Sequence, residues 1–510
     1  MKHKPIGLLI LSLSMGALAD NTQSGSPSGT QPIDQPTGST SSFRSINSVL
    51  NALEFTGSDI GAKVNAALAT FSGTTGGAVF IPANPSGCYP YSTPIVMPMG
   101  VRLFGAGRYN TCIQYTRPTG IAVKVSGAQA SIDDLTIAGP AISGQSNTGL
   151  LVAASNFSSN NMQLGGFTSA TNAPAGFATG LTFGDNAFTN TFRDLFVWQN
   201  FQNMVFPTGL SDAGEEVARF MGGTFANGTS TGAVNCIING KAGVIGGGEF
   251  SFFGTSFDGC QVVNYEGTIK FFGAHFEDVG SLSGIPFVVT LSTNLEGTHS
   301  TTGTFIEGAD VIYDHPQTGH GVFEVDRSGS LTVTSLNIAT PSIPIFYLDA
   351  GIGGDPSLTF IDPASLILST HLFTLTATTV NPHITIHTAA TSISTSNNSN
   401  AAFIGLASGV PYIHAPITIV KNNGVNFYAW TGTTNSYSGT RVQSSGSNTQ
   451  ICTTSNFPYT GDPTSLGGET WACQGIMNST ATAPRGTCST PNGYIVATIN
   501  GSLVHIATCP

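Results

Sequence analysis

The chain has 510 residues, of which only 8% are charged and 63 are glycine, and its formal net charge is −11. So few lysine and arginine residues exclude a nucleic-acid-binding protein, which needs a basic face, and the low charge excludes coiled coils and long solvated helices. Because 40% of the residues are hydrophobic and 32 are phenylalanine, the chain can bury a large core, and its glycine-rich composition favours a β protein.

The N-terminus has the features of a secretory signal peptide, which we predict to span residues 1–19. Lys2 and Lys4 precede a short apolar run, Ile6–Leu18, and Ala17-Leu18-Ala19 is a small-x-small cleavage site. The run is too short to span a bilayer, and no later segment reaches ~18 consecutive apolar residues. We therefore predict a secreted or cell-surface protein, extracellular or periplasmic, without a membrane span.

One short amphipathic helix is predicted ahead of a long β region. Ser58 or Asp59 can cap this helix, and its apolar residues recur at helical spacing up to about Ala69. Gly76-Gly77 ends the helical pattern, and residues 78–82 are predicted to form a strand. Beyond about residue 101, short runs of strand-forming residues alternate with Gly, Asn, Asp and Ser, which favours many short strands.

Three related segments indicate a repeating coil; they are FMGGTFAN at Phe220–Asn227, FFGTSFDG at Phe252–Gly259 and FFGAHFED at Phe271–Asp278. A variable period of roughly 20–30 residues is typical of a β-solenoid. Strand alternation predicts the inward residues of two successive coils, namely Phe253, Thr255 and Phe257, then Phe272, Ala274 and Phe276. Phenylalanine would then stack on phenylalanine down the core. The alternative is a sandwich whose strands carry Phe.

Two parts of the chain resemble a known family. Ser58–Ala83, SDIGAKVNAALATFSGTTGGAVFIPA, resembles the entry motif of the pectate-lyase-superfamily domain. Ala213–Phe225, with FFGTSFD and FFGAHFE, resembles the core of tailspike-like polysaccharide depolymerases. The resemblance covers roughly residues 53–289. It implies an all-β fold: a right-handed parallel β-helix (β-solenoid) with a short N-terminal capping helix. The chain departs from the family in having Gly222, Gly223 and Thr255 where Cys is frequent.

The outward face of the predicted coils carries a row of carboxylates. Asp258 and Glu277 occupy the same position on adjacent coils, and stacked strands lie about 4.8 Å apart. Paired carboxyls can serve as acid and base in the cleavage of glycosidic bonds. We predict that they form the catalytic pair, with His275 and either Glu216 or Glu215 completing the site. The alternative is a solvated row of acids without a role.

Cysteine spacing and the C-terminal pattern predict a second, smaller module. We favour a Cys88–Cys112 disulfide and pairing within Cys452, Cys473, Cys488 and Cys509. Asn500-Gly501 predicts a hairpin. The predicted domains are a flexible linker over residues 20–42, a parallel β-helix over residues 43–380, and a disulfide-containing, β-rich C-terminal cap over residues 381–510. The cap could close the helix, bind a glycan or hold a homotrimer together.

These patterns lead to two functional hypotheses. The first is an exported enzyme that degrades a polysaccharide as a lyase or a hydrolase, without a cofactor, or with calcium if it is a lyase. The second is a non-catalytic glycan-binding or adhesive surface protein on the same fold. Trp198, with Phe192, Phe196 and Phe201, is either a sugar-stacking platform or ordinary core and edge packing.

Overall fold

The structure is a computed structural model that describes the chain from Val49 to Ile361, except for eleven short gaps, and the backbone of the strands beyond Ile361. The gaps are residues 72–75, 141–144, 167–175, 208–215, 227–234, 242–245, 278–285, 293–302, 314–320, 339–344 and 350–355. The predicted signal peptide and linker lie outside the described residues, so both stay predictions. No helix in the described residues is long and apolar enough to cross a membrane.

From Gly77 to Asp349, each turn of the chain adds one strand to each of three parallel sheets, which we name A, B and C. In one turn Glu249–Phe253 lies in sheet A, Ser256–Asp258 in sheet B and Gln261–Asn264 in sheet C. The next strand, Thr268–Phe272, pairs in parallel with Glu249–Phe253 and starts the next coil. The fold is a right-handed parallel β-helix, as predicted.

The strands of the three sheets have the following bounds. Sheet A contains Val49–Asn51, Gly77–Ile81, Val101–Gly105, Ser131–Asp133, Ser158–Asn160, Asn190–Arg193, Ala218–Met221, Glu249–Phe253, Thr268–Phe272, Gly303–Glu307, Ser330–Thr334, Ser357–Ile361, His383–Thr388 and Ile417–Lys421. Sheet B contains Tyr89–Tyr91, Cys112–Tyr115, Thr136–Ala138, Gln163–Gly165, Phe196–Trp198, Thr224–Ala226, Ser256–Asp258, His275–Glu277, Asp310–Ile312 and Asn337–Ile338. Sheet C contains Ile95–Met97, Thr119–Val125, Ser146–Val152, Thr179–Phe183, Gln202–Phe206, Asn235–Asn239, Gln261–Asn264, Val288–Ser292, Phe323–Arg327, Phe346–Asp349, Phe373–Leu375 and Ile404–Leu406.

The predicted helix packs over the first coils and begins directly after its N-cap residue, Asp59. It spans Ile60–Ala69, after a short 3-10 turn at Ala52–Glu54, and the Asp59 carboxylate accepts a hydrogen bond from the backbone N–H of Ala62 at 2.8 Å. Burial opposes ionisation of Asp59, but hydrogen bonds from Ser92, Ala62 and Thr93 outweigh it and lower the pKa of this carboxyl. One aspartate therefore both caps the helix and ties it to the following loop.

Phenylalanine stacks on phenylalanine in two ladders inside the helix. Under sheet A, the ring of Phe252 lies 4.7 Å from that of Phe220 and 5.3 Å from that of Phe271, nearly parallel to both. Under sheet B, Phe257 stacks on Phe276 at 5.1 Å. All of these rings are fully buried or nearly so, which confirms the predicted core ladder.

The predicted inward positions of Phe253 and Phe272 are wrong. Both rings lie on the outer surface of sheet A, stacked at 4.9 Å, and Phe253 is 38% exposed. The cause is the corner between sheets A and B, where Gly254 and Gly273 have left-handed φ angles of 61° and 59°. This two-residue corner interrupts the alternation, so that the rings before it point outward while Thr255 within it and Phe257 after it point inward.

The corner between sheets A and B is the same in eight successive coils. Its first residue always has a left-handed φ, and it is, in chain order, Asp134, Asn161, Asp194, Gly222, Gly254, Gly273, Gly308 and Ser335. Its N–H donates to the carbonyl of the last sheet A residue in the next coil, for example from Gly254 to Phe272 at 2.8 Å. These bonds hold neighbouring coils at a constant corner geometry.

The C-terminal strands change from parallel to antiparallel pairing. Parallel pairing in sheet A continues to Ile417–Lys421, and four antiparallel strands follow it: Asn426–Thr433, Ser436–Ser445, Asn448–Phe457 and Ala472–Ile476. Gly493–Ile499 and Ser502–Thr508 form the predicted hairpin around Asn500-Gly501. The domain boundary at residue 380 stays a prediction.

Two disulfides link neighbouring coils in the described residues. Cys88 is bonded to Cys112, as predicted, and Cys236 is bonded to Cys260. The side chains of the last four cysteines lie outside the described residues, so their pairing stays a prediction. The backbone register places Cys452 opposite Cys473 on adjacent antiparallel strands.

Candidate functional site

The predicted carboxylate pair lies on the outward face of sheet B. Asp258 and Glu277 are direct partners in the parallel register of neighbouring strands, and Ser256 and His275 are partners two residues earlier. The Ser256 hydroxyl donates a hydrogen bond of 2.5 Å to Asp258. Phe257 and Phe276, which lie between these positions, are fully buried, so both carboxylates are held at fixed places by a rigid core.

His275 joins the pair to a third carboxylate that the sequence analysis did not identify. Its Nε2 atom lies 3.5 Å from an oxygen of Glu277, and its Nδ1 atom lies 3.4 Å from an oxygen of Asp310 on the next coil. Asn337 in turn donates a 2.8 Å hydrogen bond to Asp310. A neutral imidazole has one N–H and can donate to only one carboxylate, whereas the protonated ring can donate to both. The histidine therefore lies beside Glu277 on the same strand, where it can orient that carboxylate.

The structure does not bring Glu216 into this group. Glu216 precedes strand Ala218–Met221 of sheet A, and its carboxylate forms two hydrogen bonds with Arg219, at 2.6 and 2.7 Å. In the preceding coil of sheet B, the residue in register with Asp258 is Ala226. Glu215, the other candidate, and Asp278 lie outside the described residues.

A second group of carboxylates, which sequence reasoning missed, lies on sheet C. Glu324 and Asp326 are two residues apart on one strand, and the register pairs them with Tyr347 and Asp349 on the next coil. Glu324 is only 7% exposed and Asp326 is partly buried. The sequence indicates this group only through Glu-x-Asp in the strand FEVDR, where alternation places both carboxylates on one face. No aromatic repeat marks this strand. We refer to Glu324, Asp326 and Asp349 as the sheet C carboxylates.

Asp326 has the pKa expected of a general acid near neutral pH. Burial, reinforced by the charges of Glu324 and Asp349 and opposed by Arg327, raises the pKa of Asp326 to about 7. Two nearby carboxylates disfavour a third negative charge, and the partly buried position removes the water that would stabilise it. This carboxyl can hold a proton while its neighbours are ionised.

We expect the raised pKa of Asp326 to make the stability of the protein pH-dependent. An unfolded aspartate ionises near pH 4, so the folded chain retains a proton that the unfolded chain releases. The resulting stabilisation is complete below about pH 4 and is lost as the pH rises to about 7. Between pH 5 and pH 8 the loss is about 3 kcal/mol. Urea unfolding of wild type and Asp326→Asn at the two pH values measures the loss, which the variant should not show.

The matched control for this experiment is Glu54→Gln, which changes an exposed carboxylate in the 3-10 turn. Its unfolding free energy should vary with pH as in wild type. If Asp326→Asn also keeps the full wild-type pH dependence, burial does not hold a proton on Asp326.

Sheet A carries an exposed apolar surface, formed by the stacked rings of Phe253 and Phe272 and by Phe305, which is 42% exposed. Phe272 and Phe305 line a pocket of about 250 Å³ together with Lys270 and Glu307. Lys270 forms an ion pair with Glu249. In the described part of the chain, no group of three or more His, Cys, Asp or Glu side chains is arranged to hold a metal ion. Calcium binding stays a prediction tied to lyase activity.

Comparison with known proteins gives similarities to solved structures only. No protein-family model matches the chain, and no curated protein matches it. Tailspike protein 2 from Escherichia coli O157:H7 bacteriophage CAB120 is 12% identical with a TM-score of 0.33, over 84% of this chain and 62% of that one. Dettilon tailspike protein is 10% identical with a TM-score of 0.40, over 80% and 79%. The DFA-IIIase from Arthrobacter chlorophenolicus A6 is 13% identical with a TM-score of 0.38, over 72% and 93%.

The fold itself follows from the register of the chain's own strands. Three parallel sheets receive one strand each from every coil between Gly77 and Asp349, and the helix Ile60–Ala69 precedes these coils. The chain is a right-handed parallel β-helix. This chain spans less than two thirds of the length of tailspike protein 2.

Proposed function

We propose that the protein cleaves glycosidic bonds in a polysaccharide, as a hydrolase or a lyase, at the outward carboxylates of its β-helix. The observation that carries this proposal is the direct register of Asp258 with Glu277 on neighbouring strands of sheet B. The strands lie about 4.8 Å apart. Retaining glycosidases place their two carboxyl groups at a similar separation, about 5–5.5 Å.

In a hydrolytic reaction the two carboxyls would have different roles. Asp258 accepts a hydrogen bond from Ser256, which would hold its carboxylate in place as the nucleophile. Glu277 would protonate the leaving oxygen and later remove a proton from the attacking water. His275, in contact with Glu277 and Asp310, would position Glu277 for both steps. In a lyase, His275 or Glu277 would instead remove the proton next to the carboxyl group of a sugar.

The sheet C carboxylates are the alternative location for the same chemistry. Asp326 combines a pKa of about 7 with two neighbouring carboxylates, which is the arrangement of a general acid beside a base or nucleophile. Sheet B is our first choice because Ser256 and His275 contact its two carboxylates and can position them. Variants on both sheets distinguish the two locations.

The alternative class of function is a non-catalytic glycan-binding or adhesive surface protein on the same fold. Polar side chains of Ser, Thr and Asn along a long helical surface would bind sugars in either case. Only cleavage of the bound polysaccharide distinguishes the enzyme from the non-catalytic binding protein.

The test is a screen of the purified protein against a panel of soluble polysaccharides that includes neutral glucans, xylans and polyuronates. Reducing ends with ultraviolet absorbance of an unsaturated product identify a lyase. Reducing ends alone identify a hydrolase. Binding without new reducing ends on any member contradicts the enzyme proposal and supports the adhesive one.

Export and assembly belong to the same proposal. The disulfides Cys88–Cys112 and Cys236–Cys260 support folding in an oxidising compartment, in agreement with the predicted signal peptide of residues 1–19. A homotrimer remains the predicted assembly, and the measured mass of the purified protein in solution tests it.

A further inference from the structure

Two aromatic side chains lie in line with the carboxylate pair on sheet B. The register runs from Trp198 through Ala226 to Asp258, and from Phe196 through Thr224 to Ser256. Each step between coils is about 4.8 Å, so the aromatic pair lies about 10 Å from Asp258 along the helix axis. Glu277 continues the same line on the other side.

The two rings form one partly exposed surface. Their centroids are 5.5 Å apart with an interplanar angle of 43°, and Val197 between them is fully buried, so both rings lie on the outer face. The indole Nε1 of Trp198 donates a 2.8 Å hydrogen bond to the carbonyl of Gly166. The polar atom of the indole is therefore already bonded, and what remains available to a ligand is the apolar surface of a fixed ring.

Arg108 supplies hydrogen-bond donors beside this surface. Its guanidinium carbon lies 5.7 Å from the ring centre of Phe196 and 4.8 Å from that of Tyr109, which is 64% exposed. None of the described carboxylates forms an ion pair with Arg108. The guanidinium bonds only Tyr109 and the carbonyl of Asp194, at 3.0 and 3.4 Å. Of its five N–H groups, one is buried on Nε and two are bonded, which leaves one on each terminal nitrogen for a ligand.

Small side chains separate the aromatic pair from the carboxylates. Thr224 and Ala226 are the intervening residues of the two columns, and they are flanked by Phe196 and Trp198 on one coil and by Ser256 and Asp258 on another. On the outward face of sheet B, small side chains therefore lie between the aromatic pair and the carboxylates. A linear polymer with apolar ring faces and hydroxyl edges fits this sequence of surfaces.

We propose that Phe196, Trp198 and Arg108 form a sugar-binding subsite that holds the polysaccharide along sheet B, parallel to the helix axis. A sugar ring stacks on the aromatic pair, its hydroxyl oxygens accept hydrogen bonds from Arg108, and the chain passes over Thr224 and Ala226 to reach Asp258 and Glu277. The inference rests on the proposed function for the identity of the ligand. It adds the direction of the polysaccharide and the place of a non-reacting sugar.

The experiment measures binding separately from cleavage. Asp258→Asn/Glu277→Gln serves as the parent, and its retardation is followed in native gels that contain a neutral glucan, a xylan or a polyuronate. Adding Trp198→Ala should weaken retardation by the retained polysaccharide roughly tenfold. Trp198→Phe, which keeps a ring, should restore most of it and shows that loss is not due to misfolding. Phe305→Ala, which removes an exposed ring from sheet A, should leave retardation unchanged.

Each result decides the inference. Loss with Trp198→Ala, recovery with Trp198→Phe and no change with Phe305→Ala support the subsite, even if the parent still cleaves and the proposed catalytic pair is wrong. Equal retardation of parent and Trp198→Ala overturns the subsite, as does the absence of retardation by every polysaccharide. A change in the solution mass of Trp198→Ala without a change in retardation also overturns it, because the aromatic pair would then contact a second copy of the chain.

Discussion

Replacing either member of the sheet B pair should abolish most of the activity while leaving the fold intact. We expect Asp258→Asn and Glu277→Gln each to lower kcat by a factor of roughly 10² to 10⁴ on a polysaccharide that the wild type degrades, the usual contribution of general acid–base catalysis. Both side chains lie on the surface of sheet B, so their free energies of unfolding should change by no more than ~0.5 kcal/mol. Initial rates of reducing-end release and urea unfolding provide the two measurements.

Two control variants define what this result means. Glu307→Gln removes an exposed carboxylate from sheet A and should keep full activity. Asp326→Asn tests the sheet C carboxylates in the same assay. If Asp326→Asn is inactive while Asp258→Asn and Glu277→Gln are active, the reaction takes place on sheet C. If all of these variants keep wild-type rates, cleavage occurs at neither group.

One residue before Asp258, the opposite result is expected. Phe257 is fully buried, and its ring contacts those of Phe225, Phe252, Phe271 and Phe276 at 5.1–5.9 Å. Phe257→Ala leaves a cavity in this ladder, which adjacent coils cannot close without moving their own rings. We expect a loss of roughly 3–5 kcal/mol in the free energy of unfolding.

The matched control is Phe253→Ala in the same coil. Phe253 is 38% exposed and contacts one ring, that of Phe272, on the outer surface. Its replacement should cost far less, and comparing urea unfolding midpoints of the two variants isolates the effect of burial. Equal losses from Phe253→Ala and Phe257→Ala would contradict the position of the sheet A to B corner.

The sequence predicts the features that depend on local pattern. The helix is recognisable because Asp59 has the side chain of a cap and because Ile60, Val64, Ala67 and Leu68 follow at helical spacing; all four are buried. The register of Asp258 with Glu277 is recognisable because SFD and HFE repeat the same pattern around an inward phenylalanine. Each of these features needs only a few neighbouring residues to be recognised.

The sequence does not predict the features that depend on the corners between sheets or on residues from different coils. The alternation rule fails at Phe253 because the left-handed conformation of Gly254 is invisible to a period-two pattern. Asp310 is missed because its strand, DVI, lacks the phenylalanine that marks the preceding coils. Asp326 and Asp349 meet only through the register of two sheet C strands, whose sequences share no repeat.

The constant corner between sheets A and B has a consequence for how such a protein diversifies. In those eight coils the corner has two residues, whereas the connection from sheet B to sheet C is Gly259–Cys260 in one coil and residues 278–287 in the next. Within these eight coils, differences in loop length are thus confined to the other two edges of the coil. Selection can exchange the loops beside the carboxylate face, and with them the polymer that the proposed enzyme would accept, without disturbing the spacing that keeps Asp258 next to Glu277.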